Sequence, residues 1–417
     1  MHEKSGRAAA AVRADGPVRS PGIPALTGVR FIAAFMVLLG HSYPVVRFAD
    51  TNRIGTVLGA LAPVGMSLFF TLSGFLLWFN YSKDFENGIG SKPLANFAAA
   101  RFARLYPLYI CVLVLGSITT SWDSLAAAFP RALLFLPLVQ AWFPTNGSSV
   151  LILSVWDLAH SWSISVEFFL YILFPALGLL TWRMNSRTGL LTLSVLNMSM
   201  LAVLVMICTT RTESIAHRIG PELSQDQAMM WLLYYSPVTH VFEFVQGCYA
   251  CALVTRFGKA ALPFRSVFAA GLFLLVSGTF ITGWSGIVPQ QPSLAAFRYV
   301  AVSTAFFLLL YVVAAEENFC LTRLLSTRVL VAGGEISYSV YLLHPFILKW
   351  FVKPVQPVIT FVGVMEWLYV IVSALACIFV LSYGSYALIE VPARRWLRNR
   401  LTGSRIHHEP TWKTVAF

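Results

Sequence analysis

The sequence predicts an all-α polytopic membrane protein of about ten transmembrane helices, with both termini in the cytoplasm. Three observations carry that expectation. The 417 residues are 57% hydrophobic and only 12% charged, with a mean hydropathy of +0.71, whereas soluble domains carry roughly 25% charged residues. Apolar runs of about 20 residues, the length that crosses a bilayer at 1.5 Å per residue, recur along the chain. Positive charge is also unevenly shared. Of the 30 lysines and arginines, 21 fall on segments that are inside if the amino terminus is cytoplasmic, 8 fall outside, and Arg30 lies within the first span; this is the bias of the positive-inside rule.

Residues 1–25, polar, small and Pro-bearing, read as a flexible cytoplasmic tail rather than a secretory signal. The spans expected after it are 27–46, 57–82, 102–121, 156–181, 189–209, 229–255, 266–286, 298–315, 329–351 and 364–389. They are helices because an open strand in lipid leaves its backbone unsatisfied. A membrane domain over 26–392 and a basic cytoplasmic tail over 393–417 complete the expected organisation. The net charge of +12 reflects topology and calls for no nucleic-acid partner. The six cysteines lie in or beside spans and form no disulfide framework. Cys248 and Cys251 spell C-x-x-C inside an apolar helix, where small-residue packing is the reading over zinc or redox chemistry, and no metal is expected. No internal repeat is visible, which weakens a transporter of the inverted-repeat kind. The segment 122–155, with "FPTNGSSV", reads equally as an interfacial loop and as a lid.

Polar groups inside the spans carry the functional argument. In "RFIAAFMVLLGH", Arg30 and His41 are eleven residues apart. That is about three turns, so they share one helix face, separated by roughly 16 Å. An arginine in hydrocarbon costs at least ~2.5–3.5 kcal/mol on insertion scales, which turns such groups toward the bundle interior. Taken alone, Arg30 is also compatible with snorkelling to headgroups, and His41 with an interhelical hydrogen bond. "RFARLYPLY" sets Arg101 and Arg104 at i,i+3 on one face. With Arg30 they make a cation cluster suited to the phosphates of a soluble cofactor, or to anionic lipid. In "WDLAHSWSISVEFFLYILFP", His160 and Glu167 are two turns apart. His240 and Glu243 stand at i,i+3 and can bond each other; Glu390 in "ALIEVPARRWLR" is expected to pair with an arginine. His344, followed by Pro345, reads as a helix break or cap.

Together these strings resemble the acyltransferase-3 family of integral membrane O-acyltransferases, over about residues 25–400. The matching stretches are "LTGVRFIAAFMVLLGH", "SLFFTLSGFLL", "RFARLYPLY", "SWSISVEFFLYILFP", "ISYSVYLLHPF" and "EVPARRW". The resemblance implies transfer of an acyl group, usually acetyl, from cytoplasmic acetyl-coenzyme A to a hydroxyl of a cell-surface or exported glycan. It also implies a multi-pass protein of the cytoplasmic (inner) membrane, a carbohydrate or glycosylated acceptor and the lipid bilayer as partners, and no metal. Carried over, Arg30 and His41 are the family's essential pair, Arg101 and Arg104 its Arg-x-x-Arg, Ser73 and Gly74 part of its Ser-Gly-Phe signature, and Glu167 its fourth-span acid. Where an arginine is expected before "FEFVQG" this chain has His240. The hydrolase-like domain fused to some relatives is not expected.

The mechanism this implies has Arg30, Arg101 and Arg104 holding coenzyme phosphates, with Ser73 and Gly74 beside the cofactor arm. His41 is then the general base toward the acceptor hydroxyl, steadied by Glu167 or His160. Asp157, His160 and Trp162, which open the fourth span, are the candidates for holding the acceptor. Ser73 as an acyl relay is a weaker reading than Ser73 as a small packing residue. The rival class is a glycan or lipid-linked saccharide transporter or flippase without acyl chemistry, its polar residues lining a path; a receptor or scaffold predicts no turnover.

Overall fold

The computed structural model describes residues 23–42, 52–119, 133–144, 159–182, 185–220, 223–352 and 364–402. In chain order the helices are α1 (Pro24–Ser42), α2 (Asn52–Tyr81), α3 (Ser91–Thr119), α4 (Trp162–Trp182), α5 (Arg187–Thr210), α6 (Thr212–Ile219), α7 (Gln225–Met230), α8 (Pro237–Phe257), α9 (Phe264–Ser285), α10 (Pro292–Ala315), α11 (Cys320–Leu325), α12 (Arg328–Glu335), α13 (Ser337–Val352), α14 (Val364–Ser385) and α15 (Val391–Thr402). There is no strand among the described residues. Seven of these segments are long and apolar enough to cross a membrane.

Each of the ten expected spans meets a helix, and the three that fall short of that test do so for separate reasons. α4 is itself 21 largely apolar residues, Trp162–Trp182, of which only Trp162–Leu177 counts as a continuous described stretch. α8 carries His240, Glu243 and Gln246 in its interior, all buried and all hydrogen-bonded, which lower the mean hydropathy of an otherwise apolar helix at the centre of the bundle. The expected span 329–351 is two helices, α12 and α13, separated at Ile336, where the Ser337 hydroxyl donates to the Gly334 carbonyl at 2.8 Å. The tail expected from 393 begins inside α15, which follows α14 through a π-helical turn at Tyr386–Glu390. Such turns are rare and concentrate at functional sites.

α2, α8 and α10 form the buried interior, whereas α5, α9 and α14 turn large apolar side chains outward, among them Val195, Met200, Phe273, Phe280 and Val380. That inversion of the soluble pattern is what a lipid-facing rim requires. The α2–α8 crossing is tight because glycine allows it. A Cβ on Gly74 would stand 1.9 Å from the Phe244 carbonyl oxygen, and one on Gly247 1.8 Å from that of Thr71. Small residues bring helix backbones together in membranes in this way. α1 lies against α2 and against the α11–α13 segment, which puts its polar face beside α13.

Candidate active site

Two polar clusters lie along α1. The first gathers around Arg30. With Arg101 and Arg104 of α3, Glu167 and Tyr171 of α4, and Ser73 of α2, Arg30 lines one cavity. Arg30 and Arg104 are within electrostatic reach of each other, of Glu167 and of Tyr171. Among the described residues, neither arginine forms an ion pair within 4 Å. The Glu167 carboxylate instead accepts from the Tyr171 hydroxyl one turn on. Arg101 is held by aromatic groups: one of its Nη atoms donates to the Tyr81 hydroxyl at 2.8 Å, and its guanidinium lies 5.0–5.9 Å from the rings of Tyr81, Tyr171 and Phe97. Its Nε is buried with no protein acceptor among the described residues. Fixed guanidinium groups facing a cavity without carboxylate partners are what phosphate binding requires.

The second cluster gathers around His41, and its hydrogen bonds settle which nitrogen is free. α13 runs through Pro345 without ending. A proline has no amide hydrogen, so the carbonyl four residues earlier, that of Tyr341, loses its helical donor. The His344 ring fills the gap: its Nδ1 lies 2.8 Å from the Tyr341 oxygen and 3.2 Å from that of Val340. A carbonyl only accepts, so Nδ1 of His344 carries the hydrogen and its Nε2 a lone pair. That Nε2 lies 2.8 Å from Nδ1 of His41. His41 therefore donates from Nδ1, and its own Nε2 is left with an available lone pair. A carbonyl–imidazole–imidazole chain thus orients one ring through another, as a carboxylate does in hydrolytic triads. The helix break or cap expected at His344 is replaced by this role, because the ring itself repairs the defect that the proline makes.

His160, in the short turn Ala159–Ser161 before α4, adds a third imidazole, its ring centroid 5.7 Å from that of His344. The backbone of Leu342 lies near it, but neither of its ring nitrogens has a partner in hydrogen-bond geometry among the described residues. Between the two clusters stands a polar latch. The Tyr341 hydroxyl donates to the His160 carbonyl at 2.5 Å, and the Ser163 hydroxyl bonds to the Tyr341 oxygen, also at 2.5 Å. The cavity that starts at the arginines reaches Ser163 and Tyr341 and stops there, one layer short of His41.

The expected residues therefore sort as follows. Arg30, Arg101, Arg104, Ser73 and Glu167 come together at the basic end. Glu167 is not at His41: it is two turns along α4 from His160 and faces the arginines, so the imidazole is steadied by His344. Gly74 borders neither cavity and serves the α2–α8 crossing. Trp162 is buried among Phe70, Tyr234, Tyr235 and His240, on the side of α4 away from His41; adjacent helical residues diverge by about 100°, and Ser163 takes the cavity side. Asp157 lies outside the described residues. His240 and Glu243 bond each other at 2.7 Å, as their spacing indicates, with Glu243 also accepting from Ser67 at 2.5 Å. Glu390 pairs with Arg394 and accepts from Ser339 at 3.0 Å. His344 was the functional residue that sequence reasoning missed; the His-Pro dipeptide inside an apolar helix was its signal.

A helical membrane protein with an oriented imidazole at one end of a helix and a basic cavity at the other has the parts of an integral membrane group-transfer enzyme. The chain belongs to the acyltransferase-3 family: that family's model, described as an acyltransferase domain, matches residues 23–383. It is 29% identical to the acyltransferase MdmB of Streptomyces mycarofaciens over 350 residues, covering 80% of this chain and 81% of that one. It is also 24% identical to the peptidoglycan O-acetyltransferase OatA of Listeria monocytogenes, over 89% of this chain and 56% of OatA, so it spans about half the length of that relative. A shorter match, 33% identical over 152 residues, is to protein 2 of the picA locus in Rhizobium radiobacter. No solved structure matches. The protein is thus a multi-pass membrane O-acyltransferase.

Proposed function

We propose that the protein moves an acetyl group from cytoplasmic acetyl-coenzyme A to a hydroxyl of a cell-surface or exported glycan, or of another glycosylated acceptor. The observation that carries this reading is the lone pair on His41 Nε2, set by His344 and the Tyr341 carbonyl, on the same helix as Arg30. The relatives named for O-acetyl transfer to peptidoglycan support the glycan acceptor.

The residues present fit the donor. Arg30 and Arg104 have no ion-pair partner among the described residues, and Arg101 keeps a buried donor unused; all three suit a diphosphate. The thioester supplies an activated carbonyl. His41 Nε2 takes the proton of the acceptor hydroxyl as its oxygen bonds to that carbonyl. His41 then returns the proton to the departing thiolate, so the ring ends neutral and the acetyl ester and free thiol are the products. Glu167 balances the arginine charge at the basic end rather than handling protons at His41. Tyr341 swings from Ser163 and His160 to let the donor arm through. His160 and Asp157 remain the acceptor-side candidates.

In this reading the basic end faces the cytoplasm, ten segments cross the inner membrane with both termini inside, and the membrane domain extends over 26–392 between cytoplasmic tails. The test is transfer or hydrolysis of labelled acetyl-coenzyme A by purified protein in nanodiscs. Wild type turns over and His41→Ala, folded to the same melting temperature, falls by about 10²–10⁴-fold, the worth of a general base. Undiminished turnover in His41→Ala, or movement of an unmodified glycan with no acyl chemistry, refutes it. Mass spectrometry of surface glycans from deletion and complemented strains identifies the acceptor.

A further inference from the structure

The basic cavity opens through Arg30, Arg104, Ser337 and Tyr338 into a wider one of about 990 Å³, whose far wall includes Arg394, Arg395 and Arg398 of α15. His41 lines neither. The chemistry at that ring has a requirement the arginines do not meet. As an acceptor oxygen adds to a thioester, the carbonyl π pair moves onto the carbonyl oxygen, and a fixed hydrogen-bond donor there lowers the barrier.

The side-chain donors around His41 can be followed through their hydrogen bonds. His41 Nδ1 donates to His344 Nε2, and His344 Nδ1 to the Tyr341 carbonyl, both at 2.8 Å. Ser42 donates to the Leu39 carbonyl at 2.7 Å. The Tyr341 hydroxyl is committed to the His160 carbonyl and the Ser163 hydroxyl to the Tyr341 oxygen, each at 2.5 Å. His160 is different. Its ring is buried, and neither nitrogen has a hydrogen-bond partner among the described residues. The Leu342 backbone approaches the ring without reaching hydrogen-bond geometry. An imidazole carries at least one N–H in either of its ordinary charge states. Leaving that donor unused in a buried place costs stability, so its position answers to something other than folding.

The ring is also held still. Tyr341 and Phe346 stand edge-on to it at 5.6 and 6.3 Å between centroids, and His344 lies at 5.7 Å. His41 is within electrostatic reach. A donor fixed by packing, next to the base and without a protein acceptor, has the attributes of an oxyanion-stabilising group.

We propose that His160 is a catalytic residue of the transfer step, its ring N–H donating to the thioester carbonyl oxygen as negative charge gathers there. The acceptor oxygen bonds to the carbonyl carbon while His41 Nε2 takes its proton. The carbonyl oxygen becomes an alkoxide, held by His160, which keeps its own proton. The carbonyl then re-forms, the C–S bond breaks, and the departing thiolate takes the proton from His41. The assignment rests on acetyl-coenzyme A as donor and His41 as base, and it gives His160 the acyl group rather than the acceptor.

The test is single-turnover hydrolysis of labelled acetyl-coenzyme A, with no acceptor present, by the full-length protein in nanodiscs. Water replaces the acceptor there, so a residue that only holds the acceptor leaves the rate untouched. His160→Phe keeps a flat ring against Phe346 and removes the N–H. Its rate at saturating donor falls by about 10²–10³-fold, the worth of one oxyanion donor, while KM for acetyl-coenzyme A is little changed. His160→Gln or His160→Asn, an amide that donates but carries no proton, recovers about tenfold or more of that loss. His160→Met, without a donor, repeats the comparison if the phenylalanine variant does not fold. Undiminished hydrolysis in the donorless variant overturns the proposal. So does a loss that neither amide recovers, which marks the ring as a proton carrier or a packing element. A greater loss in Tyr341→Phe than in His160→Phe names the tyrosine as the donor and overturns it too. Wild type that neither hydrolyses nor transfers acetyl instead removes the proposed function on which the assignment stands.

Discussion

Replacing His344 by phenylalanine isolates the step on which the chemistry depends. The change removes the Nε2 acceptor that lies 2.8 Å from His41 Nδ1 and the donor that serves the Tyr341 carbonyl at 2.8 Å. Two costs follow. The orphaned carbonyl, buried beside Pro345, costs about 1–3 kcal/mol of stability, read as a lower melting temperature. The catalytic cost is separate. Without its acceptor His41 loses a neutral hydrogen bond worth about 0.5–1.5 kcal/mol, a factor of roughly 2–10 in the population of the competent tautomer and orientation. Misplacement of the free ring adds to this, up to the ~10²–10⁴ that a general base supplies. The expected fall in kcat for acetyl transfer is therefore about 10- to 1,000-fold, with KM for acetyl-coenzyme A little changed because the basic end is untouched. His344→Gln, whose amide oxygen can accept from Nδ1, recovers part of the loss. Single-turnover transfer of labelled acetyl in nanodiscs measures the step directly. A His344→Phe protein that folds and turns over at the wild-type rate refutes the tautomer argument; so does equal loss in the Gln and Phe variants.

Pro345→Ala restores an amide donor to Tyr341, which then competes with the His344 ring. Activity falls several-fold while the melting temperature holds or rises, and a fall in both would contradict the account. Arg104→Ala, at the neck shared by both cavities, raises KM for acetyl-coenzyme A by about tenfold or more, the loss of a charge-assisted hydrogen bond; an unchanged KM would dismiss its phosphate role. Gly74→Ala places a methyl 1.9 Å from the Phe244 carbonyl oxygen and is expected to cost about 1–3 kcal/mol as α2 and α8 are forced apart. A thermal scan showing no loss would mean the crossing is looser than described.

What the sequence revealed was mostly what one helix contains. The shared face of Arg30 and His41 and the i,i+3 contact of His240 with Glu243 follow from helical period alone, and of Glu390 only that it pairs with an arginine was expected, which the structure identifies as Arg394. Contacts between helices were not legible. His41 and His344 are 303 residues apart, and no period says which face of α13 meets α1. The same limit misdirected Trp162, whose neighbour Ser163 faces the cavity instead, and Gly74, whose value lies in what it lacks. The break at Ile336 was hidden because both halves are apolar enough to read as one span. Arg394, Arg395 and Arg398 were read as the start of a basic cytoplasmic tail, because a basic run near the end of a chain carries no mark that its helix borders a cavity.

The latch formed by Tyr341, Ser163 and the His160 carbonyl has a consequence for the cell as a whole. Under the proposed function, a catalyst with its donor on one face of an energised membrane and its acceptor on the other would sit astride a voltage and a proton gradient. A bore open from end to end would drain both. A hydroxyl pair shut between turnovers would then keep the bilayer electrically tight, and an acetyl group would cross without a wire of water behind it.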